Sequence, residues 1–353
     1  MAAKAIQISS DGGTLWYSLP GSQGAFDVEG ESIDDTILGA IYKSSEIGLE
    51  SWKVSSDAIF KGFAGYKAEL KRVGTPTTMT SEAMTLVSGK TYKITNAAKE
   101  IWDRSQALTF NDGGLIAVPN ILNIDYLFGQ VTFIASYTPA GAVTVTGKYF
   151  PTAAAGCANS YTLTMSADAI DESCFNTVQV NNGTRIYRSG LKTVALELTG
   201  IFNATENFKS ILIARSEIII EIDPAGDGSS VARGFFKLST TGQSGAVGAL
   251  EEEKTSWMLQ VPDVTNNAPA KYPFSWRHTA TTMSLAIQKL LTSWLDGLNT
   301  YEVRYLPQGA ITQTPLDGIE GAFVVTDVSL SGGLSNMNTF QASLQGTGQY
   351  VEV

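Results

Sequence analysis

ENFKSILIARSEIIIEIDPAG, Glu206–Gly226, runs from a helix into a strand. Phe208, Ile211, Leu212 and Arg215 follow the i, i+3, i+4, i+7 spacing of one helix face, and the β-branched run after them has strand chemistry. The same order returns at TTMSLAIQKLLTSWLDG, Thr281–Gly297, followed by TYEVRYLPQG, Thr300–Gly309. There Leu285, Leu291, Trp294 and Leu295 share a side and Gly297 supplies the stop. A loop and a terminal strand pair follow each helix and strand: GFFKLSTTGQSGAVGALEEEKTSWMLQV, Gly234–Val261, and GAFVVTDVSLSGGLSNMNTFQASLQG, Gly321–Gly346. Gly234-Phe235-Phe236 matches Gly321-Ala322-Phe323, and Gly245 falls near Gly332. Ser256–Leu259 matches Gln341–Leu344 with an offset of about two residues, as expected of one hairpin with two different turns.

The front of each unit corresponds as well. Ile33-Asp34-Asp35-Thr36-Ile37 parallels Ile170-Asp171-Glu172-Ser173-Cys174. Each is followed by a Gly- and Ser-rich segment read as a long loop, Gly39–Phe63 and Asn176–Lys192, and then by a strand, Gly65–Gly74 and Thr193–Gly200. Most other segments are short β-branched and aromatic runs between turn residues, such as GQVTFIASYTPAGAVTVTGKYF, Gly129–Phe150, with Val131, Phe133 and Ala135 on one face and Val143 and Val145 on the next. A short helix is expected at Asn96–Asp103, capped by Asn96. The fold class is mainly β. The second unit is contiguous at 151–262, the first is split between 1–73 and 263–353, and 74–150 is a small inserted β domain; a tandem division with a break near 150 is the alternative.

The chain has 353 residues, 43% hydrophobic and 16% charged, enough for two or three ordinary cores. Its formal charge of −10, from 34 acids and 24 bases, and the absence of any Lys/Arg-rich stretch disfavour tight nucleic-acid binding. The N-terminus turns polar too early for a signal peptide, and apolar runs such as ILIARSEIII are broken by charge, so neither export nor membrane insertion is expected. Cys157 and Cys174 form no disulfide framework and are expected as thiols.

Chemistry has little to build on. His278 is the one histidine, which excludes zinc sites with several imidazoles, and its surroundings suit a capping or surface role. The cysteines lack CxxC spacing, and no phosphate-binding glycine loop is present, so no cofactor is expected. Asp168, Asp171 and Glu172 cluster like ligands for a hard cation but lack the grammar of a calcium loop, and on a strand they spread over both faces. Solvent-facing acids account for them more simply. Glu251–Lys254 reads likewise as a solvated turn.

SADAIDESCF followed by NNGTRIYRSGLKTVALELTG, the helix ENFKSILIARSE and the closing hairpin together resemble the major tail tube proteins of long-tailed, siphovirus-type bacteriophages. The resemblance covers the second unit fully and the first at both ends. It implies two tube domains of β-sandwich or barrel type, each with one flanking α-helix, whose inner sheets join in a ring. Two such domains per chain imply stacked, pseudo-sixfold trimeric rings that conduct DNA. The implied partners are other copies of the chain, a tape-measure protein inside the tube, and tail terminator and tail-tip proteins. Genomic DNA would pass without specific binding. The implied location is the virion tail, assembled in the host bacterial cytoplasm, and no catalytic activity is implied.

On this basis Asp34, Asp35, Asp171 and Glu172 are expected as lumen or ring-edge acids. The two long loops are expected to make inter-ring contacts through Lys43, Glu46, Trp52, Lys53, Asn182, Arg185, Tyr187, Arg188 and Lys192. A binding module is the alternative: a multi-domain β protein holding a carbohydrate or cell surface through Trp16, Tyr17, Trp52 or Trp102. A glycosidase would need a framed acid pair, which the sequence does not offer.

Overall fold

The computed structural model describes residues 5–19, 21–35, 45–59, 67–73, 75–174, 184–201, 208–224, 228–244, 252–260, 273–278, 284–296, 301–307, 318–333 and 336–353. The fold is mainly β. In chain order the strands begin with β1 (Ala5–Ser9), β2 (Tyr17–Ser18), β3 (Gly21–Asp34), β4 (Ser45–Ile59), β5 (Lys67–Val73), β6 (Thr77–Ser88) and β7 (Thr91–Ile94). They continue with β8 (Thr109–Asn111), β9 (Ile121–Asp125), β10 (Gln130–Phe133), β11 (Thr144–Tyr149), β12 (Thr152–Cys157), β13 (Ser160–Asp171) and β14 (Tyr187–Ile201). Helix α1 (Phe208–Ala214) precedes β15 (Glu217–Asp223), β16 (Ser230–Ser244), β17 (Glu252–Leu259) and β18 (Phe274–His278). Helix α2 (Leu285–Asp296) precedes β19 (Glu302–Leu306), β20 (Ile319–Gly333) and β21 (Asn336–Glu352).

The chain divides into two compact units, residues 1–64, 161–196 and 280–353 in the first and 65–160 and 197–279 in the second; among the described residues α2 belongs to the first and α1 to the second. In the first unit the strand order is β2-β1-β19-β20-β21-β4-β3, and β13 also pairs with β20. In the second, β12-β5-β15-β16-β17 form a sheet to which β18 adds along β16, and β8-β11-β6-β7-β10-β9 form a separate six-stranded sheet. The core of that smaller sheet, including Trp102, Phe110, Phe128, Val131, Phe133 and Val145, is continuous with Ile219, Val231 and Phe235 of β15 and β16.

Helix α1 ends in a Schellman arrangement. Ser216 N donates to Ile211 O at 3.2 Å, Arg215 N donates to Leu212 O at 3.1 Å, and Arg215 takes φ 51° where glycine is more usual. In α2 the buried face is Ala286, Ile287, Leu290, Leu291, Ser293 and Trp294. Leu285, expected on that face, begins the helix and is exposed. The Asn96 cap forms, its side chain accepting from Ala98 N at 3.1 Å, but it starts a single 3-10 turn, Ala97–Lys99, because the chain is drawn into the core at Ile101 and Trp102.

The long strand pairs carry the duplication in detail. In the β16–β17 ladder Leu238 faces Trp257, Ser239 bulges out and Thr240 faces Ser256. In the β20–β21 ladder Val325 faces Leu344, Thr326 bulges out and Asp327 faces Ser343. Thr326 stands 87 residues after Ser239, and Ser343 87 after Ser256. The bulged hydroxyl donates to the same carbonyl in both, Ser239 Oγ to Ser256 O at 2.8 Å and Thr326 Oγ1 to Ser343 O at 3.0 Å. The two-residue offset read from sequence is thus corrected: one register runs through both ladders, pinned by the bulge rather than by the turn. Helix α1 packs on β16 and α2 on β20, so the helices repeat too.

The front hairpins match as well, β3–β4 with β13–β14. A Cβ on Gly48 would lie 2.8 Å from Ile33 Cδ1, and one on Gly190 2.9 Å from Ile170 Cδ1, so in each hairpin an isoleucine occupies the space a glycine leaves. This alignment changes two sequence expectations. Ser45–Ile59, read as part of a loop, is strand β4, with Trp52, Val54 and Ser56 buried; serines at 51, 55 and 56 had hidden the alternation. The counterpart of β14 is therefore β4 rather than β5, and β5 pairs with β15 in the second unit. The run of acids also lies partly on a strand: Glu252 and Glu253 belong to β17, and Glu253 is buried with Thr241 Oγ1 donating to it at 2.5 Å.

Candidate functional site

The residues singled out between the front strands converge in the first unit. Arg185 reaches two acids: its guanidinium donates to Asp171 at 2.8 Å and to Glu31 at 2.9 Å. Asp171 also accepts from Ser173 N at 2.8 Å; burial opposes its ionisation, but the Ser173 and Arg185 bonds hold its carboxyl below the usual range. Arg188 Nε pairs with Glu172 at 2.5 Å. The backbone here is fastened to β4 and β21. Arg185 N donates to Glu50 O at 2.9 Å, Gly348 N to Arg185 O at 2.9 Å, and Tyr187 N to Thr347 Oγ1 at 2.8 Å. Glu31, Glu50, Thr347 and Gly348 complete the cluster and were not anticipated; only the acidic run ending at Asp35 hinted at Glu31.

Other expected contact residues are placed separately. Tyr187, Arg188 and Lys192 lie on β14. Lys192 Nζ donates to Leu295 O at 2.9 Å and lies 5.5 Å from the Trp294 ring, so it caps the C-terminal turn of α2, where a cation is favoured. Lys53 is exposed on β4 opposite Asp27. Trp52 is 1% exposed, its Nε1 donating to Gly348 O at 3.0 Å and its ring meeting Phe26 and Tyr350 at centroid distances of 6.2 and 6.0 Å. Asp34, Asp35, Asp168, Asp171 and Glu172 are all exposed. Lys43 and Asn182 lie outside the described residues, as does the side chain of Glu46.

The aromatic residues of a surface-binding reading are mostly engaged. Trp102, like Trp52, is buried. Trp16 lies under Arg304, 3.9 Å from the guanidinium to the ring centroid, and donates through Nε1 to Gly13 O at 2.8 Å.

Among the described residues the buried carboxylates and the buried guanidinium belong to the second unit. Arg233 on β16 donates through Nε to Glu221 at 2.7 Å and through NH1 to Leu127 O at 2.9 Å, pairs with Glu100 at 2.5 Å, and lies 4.6 Å from the Phe128 ring centroid. Burial opposes ionisation of Glu100, but Arg233 and Lys93 hold its carboxyl below the usual range. Burial raises the pKa of Asp125, which accepts from Ser275 Oγ at 2.6 Å and from Leu127 N at 3.0 Å. His278 ends strand β18 rather than capping a helix. Its Nδ1 lies 3.2 Å from Ser230 Oγ, its ring stacks on Trp276, and burial lowers its pKa to about 4. These groups tie β9, β15, β16 and β18 into one packed body, and each is committed to partners within it.

The sheet edges are the feature left open. Among the described residues β3 is paired along one side only, with β4. On β16, β15 covers one edge at residues 232–237, while β18 and β17 share the other. Among the described residues Leu238–Ser244 are therefore paired along one side only, with β17.

No protein-family model and no curated protein sequence matches the chain. Among solved structures, it is similar to a chain from the tail of an empty gene transfer agent particle, refined with helical C6 symmetry. The match has 11% identity and a TM-score of 0.28, covering 32% of this chain and 84% of that one. It is also similar to a chain from the virion of a native gene transfer agent particle, with 14% identity and a TM-score of 0.27 over 32% of this chain and 85% of that one.

Proposed function

We propose that this chain is a structural subunit of a phage tail tube, without catalytic activity, that polymerises as stacked rings forming the conduit for DNA ejection. The observation that carries the reading is the duplication, down to the shared bulge at Ser239 and Thr326 and the shared Ile–Gly contacts of the front hairpins. A catalytic or binding site has no need of two such units. A ring does, because repeated units joined by head-to-tail edges close on themselves. With two units per chain, three chains give a pseudo-sixfold ring.

In this reading the net charge of −10 suits a channel through which DNA slides without adhering. Asp34, Asp35, Asp171 and Glu172 serve as lumen or ring-edge acids, and the segments between the front strands meet the next ring. Its partners are further copies, a tape-measure protein inside the tube and the tail terminator and tip proteins, and its place is the virion tail after assembly in the bacterial cytoplasm. Electron microscopy of the purified chain provides the test. Tubes or rings with threefold density and six similar wedges are expected. Rings of six chains would remove the trimer, and monomers that bind glycans would favour a surface-binding module.

A further inference from the structure

The chain contains a model of its own interface. Strand β13 is the outer strand of one front hairpin, and it pairs with β20, the long back strand of the other repeat. It does so past the segment of β20 that β19 covers, which ends at Ala322. The same two roles are filled once more: β3 is the outer strand of the second front hairpin, and β16 is the second long back strand. Among the described residues both have an open edge, and the open part of β16 begins past the segment that β15 covers. We propose that β3 of one copy pairs with Leu238–Ser244 of β16 in a second copy, repeating between chains the β13–β20 pairing found within one. This deepens the tube-subunit reading and rests on it for ring closure and stacking, whereas the strand pairing rests on the duplicated topology.

Side-chain exposure at matched positions agrees. Aligning Ile33 with Ile170 sets Phe26, Val28 and Gly30 against Leu163, Met165 and Ala167. Met165 is 0% exposed beneath its neighbours, whereas Val28 is 43% exposed. On the back strand, Gln243 stands 87 residues before Leu330; Leu330 is 0% exposed and Gln243 lies open. Residues 27–34 of β3 are exposed on both faces, which a strand only half-packed in the isolated chain would show. The acids Asp27, Glu29 and Glu31 and the polar Thr240, Thr241 and Gln243 keep these edges soluble until they meet. The interface is heterologous, because edge and partner differ, so it propagates from copy to copy instead of stopping at a twofold dimer.

Proline tests the pairing, because it removes one backbone donor and neighbouring residues on a strand direct their N–H groups to opposite edges. Of Val28→Pro and Glu29→Pro, one removes an outward N–H of β3 and spares its ladder to β4; Thr241→Pro and Gly242→Pro do the same for β16. Circular dichroism selects the folded member of each pair, and size-exclusion chromatography with light scattering reads assembly. Each blocked variant alone is expected as a monomer, and a mixture of the two as a one-to-one dimer through the single intact interface. Hydrogen exchange on the unmodified protein needs no variant: amides of 27–33 and 238–243 should become at least tenfold more protected on assembly.

Blocked variants that assemble like the unmodified chain, or a mixture that stays monomeric beside an assembling unmodified chain, would overturn the pairing and leave the tube reading standing. Rings that never stack, with both blocked variants monomeric, would keep the pairing and overturn the tube. An unmodified chain that stays monomeric under all conditions defeats both.

Discussion

Arg233 is a buried charge whose partners close around it. Its guanidinium is shared among Glu221, Glu100 and the Leu127 carbonyl and lies against Phe128, so its donors and its face are both used. Such a cluster owes its stability to completeness, since each carboxylate is tolerated in the interior only while the opposite charge stays beside it. Arg233→Met keeps much of the volume and removes that charge. It should lower the unfolding free energy by about 3–5 kcal/mol, measured by urea denaturation at neutral pH. Adding Glu221→Leu should recover part of the loss, because the double change no longer strands that carboxylate. A loss of under about 1 kcal/mol in the single variant would mean that water reaches the site and that the cluster does not order the smaller sheet against β15 and β16.

At the level of elements, Trp52 links the front hairpin to the back one. Its ring lies over two glycines: a Cβ on Gly346 would fall 1.9 Å from Trp52 Cε2, and one on Gly321 2.6 Å from Cζ2. Gly346→Ala should therefore destabilise by about 1–3 kcal/mol through overpacking. In a Trp52→Leu background the same change should cost less than half as much, a coupling that a double-mutant cycle in thermal or urea unfolding would read. Equal costs in both backgrounds would show that the backbone, not the ring, decides the penalty at Gly346. The same hairpin shows what the sequence conveys and what it hides. Helices α1 and α2 and the long pair β20–β21 announce themselves through helical spacing or sustained alternation. Strand β4 does not, because its buried face is Trp52, Val54 and a serine, and its tryptophan needs two distant glycines to be accommodated. The bulge at Ser239 and Thr326 was equally silent, since a hydroxyl bonding across a ladder leaves no periodic trace.

For the whole molecule, the duplication is legible in the sequence, and it carries the functional reading. The site was less so. The acids at Asp171 and Glu172 stood out in the sequence, but their partners Arg185 and Arg188 come from beyond residues 175–183, and Glu31 comes from a strand far away in the chain. Because β4 and β14 occupy most of what reads as loop, the stretches left between the front strands are 35–44 and 172–186, and a replacement confined to 36–44 or 175–183 spares the strands and the Arg185 cluster. If these segments carry the contacts between rings, replacing either with a short Gly/Ser turn should stop tube growth and leave folded rings. The open edges of β3 and β16, which lie elsewhere, would still close them. Electron microscopy would then find discs where the unmodified chain gives tubes, and light scattering would find the mass of one ring. Tubes of normal length from both shortened chains would move the stacking contacts to other surfaces. Monomers from both would place these segments in the ring interface itself, alongside the Arg185 cluster that already holds Asp171 and Glu31 together within one chain.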